Sequence, residues 1–329
     1  MEPKLLIKPA KLKPGDIVGV ISPSLPIFSK KDFTKGVKAL ESFGLQVKVG
    51  TRALEVHGNY QAGPREDRLK DLHEMFLDDE VKAIFCAGGG YSSLQLLPDI
   101  DWEIIQKNPK IFVGFSDNTA LLVPIFEKTG LVTFHGPTVE GWDITTRTKS
   151  DKFEIKNFKQ IFMKGETGNL KGYTEWKTLK PGKAEGTLVG GNLDTLLSLV
   201  GTPYEPKWDG KILFWEDVDV TTEDIENYLW RLRIAKILKK IDGMIVGKIT
   251  DLKPIDEETS GWAKLEKTPT IEEVIINATK GFDFPILYGV DFGHIFPSIT
   301  LPIGAQALID CPAVGKIGKI ALTEKYLAD

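Results

Sequence analysis

The chain has 329 residues, of which 42% are hydrophobic and 27% charged, and a formal net charge of −4, as befits an ordinary globular protein long enough for two domains. That balance, without a long Lys/Arg block, argues against nucleic acid as a partner. No apolar run approaches the ~18 residues of a membrane span, and the first residues, MEPKLLIKPAKLKPGD, carry lysines and prolines instead of an apolar signal core, so the expectation is a cytoplasmic protein with no membrane partner.

In chain order, Asp16–Ser22 reads as a strand, Ser29–Phe43 as an amphipathic helix stopped by Gly44, and Leu45–Val49 as a second strand. Pro64 opens a helix running to Asp78, with acidic residues close behind it as the helix dipole favours. Val81–Ala87 is a third strand, followed by Gly88-Gly89-Gly90 and a short helix with Leu94, Leu96 and Leu97. Next, Ile111, Phe112, Val113 and Phe115 form an apolar run without polar alternation, the pattern of a central parallel strand covered on both faces. It stops at Ser116. Helical spacing resumes at once in Leu121, Leu122, Ile125 and Phe126, with Gly130 as the stop, and Leu131–Phe134 gives one more strand. Repeated β-α-β units predict an α/β fold, with a Rossmann-like parallel sheet over residues 1–165.

A helix-like stretch covers Lys152–Met163, and the Gly-, Thr- and Lys-rich span 166–182 reads as the domain connector. Beyond it the strands are short and punctuated by glycine: Gly186–Val189, Lys211–Trp215, Gly243–Ile249, Pro285–Asp291 and Lys316–Leu322. Two helices intervene, at Asp194–Val200 and Thr222–Lys240, so residues 183–329 read as a smaller, mixed β/α domain rich in strands.

The chemistry is expected at strand ends. Two cysteines make no disulfide scaffold, and His57, His73, His135 and His294 have no metal-ligand spacing. Ser116 sits where a strand gives way to a helix, the place where open α/β sheets bind ligands. It has two readings: a helix N-cap, or a nucleophile on a turn of the elbow kind that lacks the second glycine of G-x-S-x-G. The strand Ile212–Trp215 breaks into Glu216-Asp217, and Ile286–Val290 leads to His294. Singly, these are a solvated strand terminus and a loop histidine. Together, a serine, an imidazole to take its proton and a carboxylate to orient the imidazole make an acyl-transfer group, in the chain order of α/β-hydrolases. The amides of Gly90 and Asp117 are candidates for an oxyanion hole. Cys86, flanked by Ile84, Phe85 and Ala87, reads as a buried hydrophobe.

With those residues the chain resembles the LD-carboxypeptidase and microcin C immunity serine peptidases. The resemblance rests on Lys13-Pro14-Gly15-Asp16 leading to Ile21-Ser22-Pro23-Ser24, on Gly89-Gly90-Tyr91, and on Gly114-Phe115-Ser116-Asp117-Asn118-Thr119-Ala120-Leu121. It continues through Gly190-Gly191-Asn192-Leu193, Glu216-Asp217, and Gly293-His294 with Leu301-Pro302-Ile303-Gly304. It implies Ser116 as nucleophile, His294 as base and then acid, Glu216 as orienting carboxylate, and Gly89, Tyr91 and Asn192 near the substrate. It also implies a site between two domains, a homodimer, and no metal or organic cofactor. One branch of the family removes a terminal D-alanine from murein peptides by cutting an L,D bond. The other cuts the amide joining an amino acid to a nucleotide-like sulfamate or phosphoramidate. The chain lacks the arginine expected before Gly-Gly-Tyr in the murein branch. Trp176 has two readings: a platform for a planar ligand, as the immunity branch implies, or a hydrophobic anchor. A reading from another class is a two-domain binding protein that closes on a small molecule without chemistry.

Overall fold

The computed structural model describes residues 5–254 and 267–329. In the first half, β1 (Ile17–Ile21), α1 (Lys30–Glu41), β2 (Gln46–Val49), α2 (Arg65–Leu77), β3 (Val81–Cys86), α3 (Trp102–Lys107), β4 (Ile111–Gly114), α4 (Thr119–Thr129) and β5 (Thr133–His135) follow in turn. The strands pair in parallel in the order β2-β1-β3-β4-β5. Apart from the exposed Lys82, β3 and β4 are apolar and buried on both faces because helices cover both sides. Boundaries follow local chemistry: the Ser29 hydroxyl accepts from Asp32 N–H to start α1, and Gly130 at φ 83° ends α4. α3, with Asp101 as its cap, is a helix that apolar spacing did not disclose.

α5 (Lys149–Phe158) widens into a π-helical turn over Lys159–Lys164 and stops at Gly165. There follow β6 (Gly168–Asn169), β7 (Lys177–Lys180), β8 (Gly182–Asn192), α6 (Leu193–Leu197), β9 (Lys211–Val218), α7 (Thr222–Ile234), β10 (Gly243–Thr250), α8 (Ile271–Ala278), β11 (Ile286–Tyr288), β12 (Leu301–Ile303), β13 (Gln306–Cys311) and β14 (Lys319–Leu322). The second sheet runs β6-β14-β13-β8-β9-β10-β11-β7. Its centre, β8 to β11, is parallel, and antiparallel strands flank it on both sides.

Two expectations about organisation are corrected. Residues 166–182 are no plain connector, because they supply both edge strands of the second sheet. Short segments paired on one side only need little apolar periodicity, so the sequence hides them. Nor does the chain divide cleanly at 165. β12, from the second half, pairs antiparallel with β5 and becomes the sixth strand of the first sheet. β13 and α8 also lie outside the elements expected from sequence.

Candidate active site

β4 ends at Gly114, and a 3₁₀ turn, Ser116–Asn118, separates it from α4. Ser116 has φ 60°, a left-handed conformation that costs a non-glycine residue about 1–2 kcal/mol. Ser116 holds neither cap position: Phe115 precedes the turn and Asn118 precedes α4, and neither side chain makes a capping bond. Instead Ser116 Oγ lies 3.0 Å from His294 Nε2, and His294 Nδ1 lies 2.8 Å from Glu216 Oε2. The N-cap reading of Ser116 therefore gives way: the turn aims the hydroxyl at an imidazole.

Neighbouring segments are shaped to allow this contact. Glu216 lies at the end of β9 and is fully buried. Room for it comes from two glycines: a Cβ on Gly293 would lie 2.6 Å from Glu216 Oε2, and one on Gly247 would lie 2.9 Å from Glu216 Cβ. Gly293, at φ 113°, also makes the turn that delivers His294. The Phe115 ring packs edge-on to His294 with centroids 4.8 Å apart, which fixes the imidazole plane.

The turn itself is braced. Asp117 is buried, and its Oδ2 accepts from the Ser92 and Ser93 amides at 2.9 and 2.8 Å. Asn118 Nδ2 donates to the carbonyls of Gly88 and Phe115, both at 2.9 Å. From the other side, the buried Arg68 guanidinium donates to the carbonyls of Pro23 and Ser92. The glycine loop after β3 is thus tied to the serine turn. A Cβ on Gly89 would lie 3.1 Å from Ser116 Oγ, and Gly90 has φ 140° with Ser24 and Leu25 close on its free face. Backbone without side chains therefore borders the hydroxyl.

The cleft above Ser116 is lined by Gly89, Gly90, Tyr91, Asn192, Asp194, Asp217, Tyr228 and His294, among others. Tyr91 is 87% exposed at its rim. Asn192 lines the cleft, yet its side chain is occupied: Nδ2 donates to Asp217 Oδ1 and Oδ1 caps α6 by accepting from Thr195 N–H. Its backbone N–H donates to Thr119 Oγ1 at 3.0 Å, joining β8 to the start of α4. Asp217 was not among the expected site residues. Burial, with the Glu216 charge adding to it, pushes its carboxyl up to about 6. The signal was present as the second acid after a buried strand.

Trp176 does not join the cleft. It is 3% exposed and its Nε1–H donates to Asp291 Oδ2 at 2.9 Å, so the ligand-platform reading is corrected to that of an anchor. Asp291 also accepts from the amides of Tyr173 and Thr174 and from the Thr174 hydroxyl. Cys86 is buried, and burial raises its thiol far above the ordinary range, as a small core residue requires. Among the described residues, no group of three or more His, Cys, Asp or Glu is placed to hold a metal ion, and no helix is long and apolar enough to cross a membrane.

Comparison with known proteins gives the family. The LD-carboxypeptidase N-terminal domain profile matches residues 18–136 and the C-terminal domain profile residues 185–309. The chain belongs to the LD-carboxypeptidase family. A probable murein peptide carboxypeptidase of Bacillus subtilis is 42% identical over 307 residues, 92% of this chain and 91% of that protein. The microcin C7 self-immunity protein MccF of Escherichia coli is 31% identical, over 97% of this chain and 96% of MccF. The structure of MccF in complex with glutamyl sulfamoyl guanosine superposes with a TM-score of 0.86 at 27% identity, over 98% of this chain and 99% of that one. The two-domain architecture therefore matches that of MccF, and the serine carboxypeptidase family is the one the resemblance implied.

Proposed function

We propose that this member of the family is a serine carboxypeptidase that hydrolyses a terminal amide of murein L,D type through an acyl-enzyme. The observation that carries this reading is the hydrogen-bonded series from Ser116 through His294 to Glu216, with the serine held in a strained turn. As the Ser116 oxygen bonds to the scissile carbonyl carbon, its proton passes to His294 Nε2, and Glu216 stabilises the imidazolium. The amides of Gly90 and Asp117 hold the developing oxyanion. The carbon–nitrogen bond then breaks as His294 gives its proton to the leaving amine. A water molecule, deprotonated by His294, attacks the acyl carbon, and Ser116 regains its proton as the acid product leaves.

The murein-type substrate is favoured by the 42% identical relative and by the burial of Trp176, which removes the one aromatic expected to stack on a base. A second reading, cleavage of an aminoacyl-nucleotide amide, is supported by the full-length similarity to MccF. Incubation with a murein tetrapeptide and, separately, with an aminoacyl-sulfamoyl adenosine separates them by product mass. Loss of D-alanine from the tetrapeptide supports the first reading, and release of the sulfamoyl nucleoside alone supports the second. A protein that hydrolyses neither, and does not react with a fluorophosphonate, is a binder instead. The homodimer implied by the family resemblance belongs to the same reading, and sedimentation velocity measures it directly.

A further inference from the structure

The residues that carry Ser116, Glu216 and His294 come from three separate stretches of chain, and one side chain touches a neighbour of each. His135, at the end of β5, is 2% exposed. Its ring meets Phe115, one residue before Ser116, edge-on with centroids 6.1 Å apart. It meets Phe214, two residues before Glu216, and Phe292, two residues before His294, each edge-on at 5.6 Å. Phe214 and Phe292 also contact one another, at 5.6 Å. The backbone adds two further ties: β5 pairs with β4 through Gly114 and His135, and with β12, which follows the His294 loop, through His135 and Leu301.

Neither ring nitrogen of His135 has a hydrogen-bond partner among the described residues. Burial holds its imidazole down at about 4, so near neutral pH it is an uncharged ring and leaves Glu216 to His294. What the ring does contact is three aromatic neighbours, so its part here is that of a flat packing surface.

We propose that His135 is a positioning residue for the reaction: its ring is the common packing surface that sets the serine, glutamate and histidine segments relative to one another. This rests on the triad reading and is independent of which amide is cut. A purely structural residue would lower stability and leave each folded molecule equally competent. A positioning residue lowers the chemical step in molecules that are folded, because small displacements of reacting groups are costly.

The test uses the full-length protein and a fluorophosphonate ester, so that no natural substrate is needed. The concentration dependence of labelling gives a limiting rate and a half-saturation value for wild type, His135→Ala and His135→Phe. Circular dichroism establishes the folded fraction, and the final labelling extent counts competent serines. For His135→Ala the limiting rate is expected to fall roughly 10–100-fold, with half-saturation changed less than about twofold. His135→Phe restores the rate to within about threefold of wild type, because it returns the ring edges. If His135→Ala does not fold, His135→Leu takes its place with the same expectations. A folded alanine or leucine variant with the wild-type limiting rate overturns the proposal, and so does a phenylalanine variant no better than either. Wild-type protein that does not label at all refutes the triad reading itself.

Discussion

At the scale of single residues, the account turns on where backbone freedom is spent. Ser116 holds a conformation that glycine adopts without penalty, so Ser116→Gly is expected to be more stable than Ser116→Ala by roughly 1 kcal/mol, with both inactive. Thermal denaturation compares them directly. Gly293 is the opposite case. Gly293→Ala places a methyl group against the Glu216 carboxylate, and kcat is expected to fall about a hundredfold with KM little changed. Sequence reasoning singled out the serine, glutamate and histidine because each lies at, or a few residues beyond, the end of an apolar run. It could not find their convergence from spacing, since His294 reaches partners 78 and 178 positions away. Nor did it give Gly247, Gly293 or His135 a role of its own, since those roles depend on what lies opposite them in space.

At the scale of elements, the strands and helices of the first sheet were legible because β-α-β repeats there are long and apolar. The edges of the second sheet were not. Lys177–Lys180 alternates weakly, and its neighbour Trp176 kept two readings, ligand platform or anchor, because its partner, Asp291, lies 115 residues further on. That partnership has a measurable consequence. Trp176→Phe keeps the buried ring but removes one donor to Asp291, so it is expected to cost about 1–2 kcal/mol in denaturant unfolding while kcat and KM stay near wild type. A large rise in KM with stability unchanged would restore the platform reading. β13 is a different kind of miss. Its burial alternates strictly, and the residues Ala307, Ile309 and Cys311 that point inward were readable as a half-buried strand.

At the scale of the whole molecule, the two sheets are held together by buried polar contacts as well as by apolar packing. Glu154 on α5 accepts from the Ser298 amide at 2.6 Å, and Asn157 accepts from Thr300, fastening the segment between His294 and β12 to the first domain. Burial pushes the Glu154 carboxyl up to about 7 from an ordinary 4.5. Between those two values the folded protein retains a proton that the unfolded chain releases, so raising the pH across that window lowers stability, by no more than about 3 kcal/mol from this group. Glu154→Gln keeps the acceptor and removes the titration. Its melting temperature relative to wild type is therefore expected to rise between pH 5 and pH 8, and a difference that stays constant would refute the assignment.

The fold and the family follow from the whole chain, but activity is staked on one oxygen. Peptide mapping by mass spectrometry after fluorophosphonate treatment tests that claim most directly. The account predicts a phosphonate adduct on the peptide containing Ser116, strongly diminished in His294→Ala. An adduct on any other residue, or labelling of Ser116 undiminished in that variant, would contradict it.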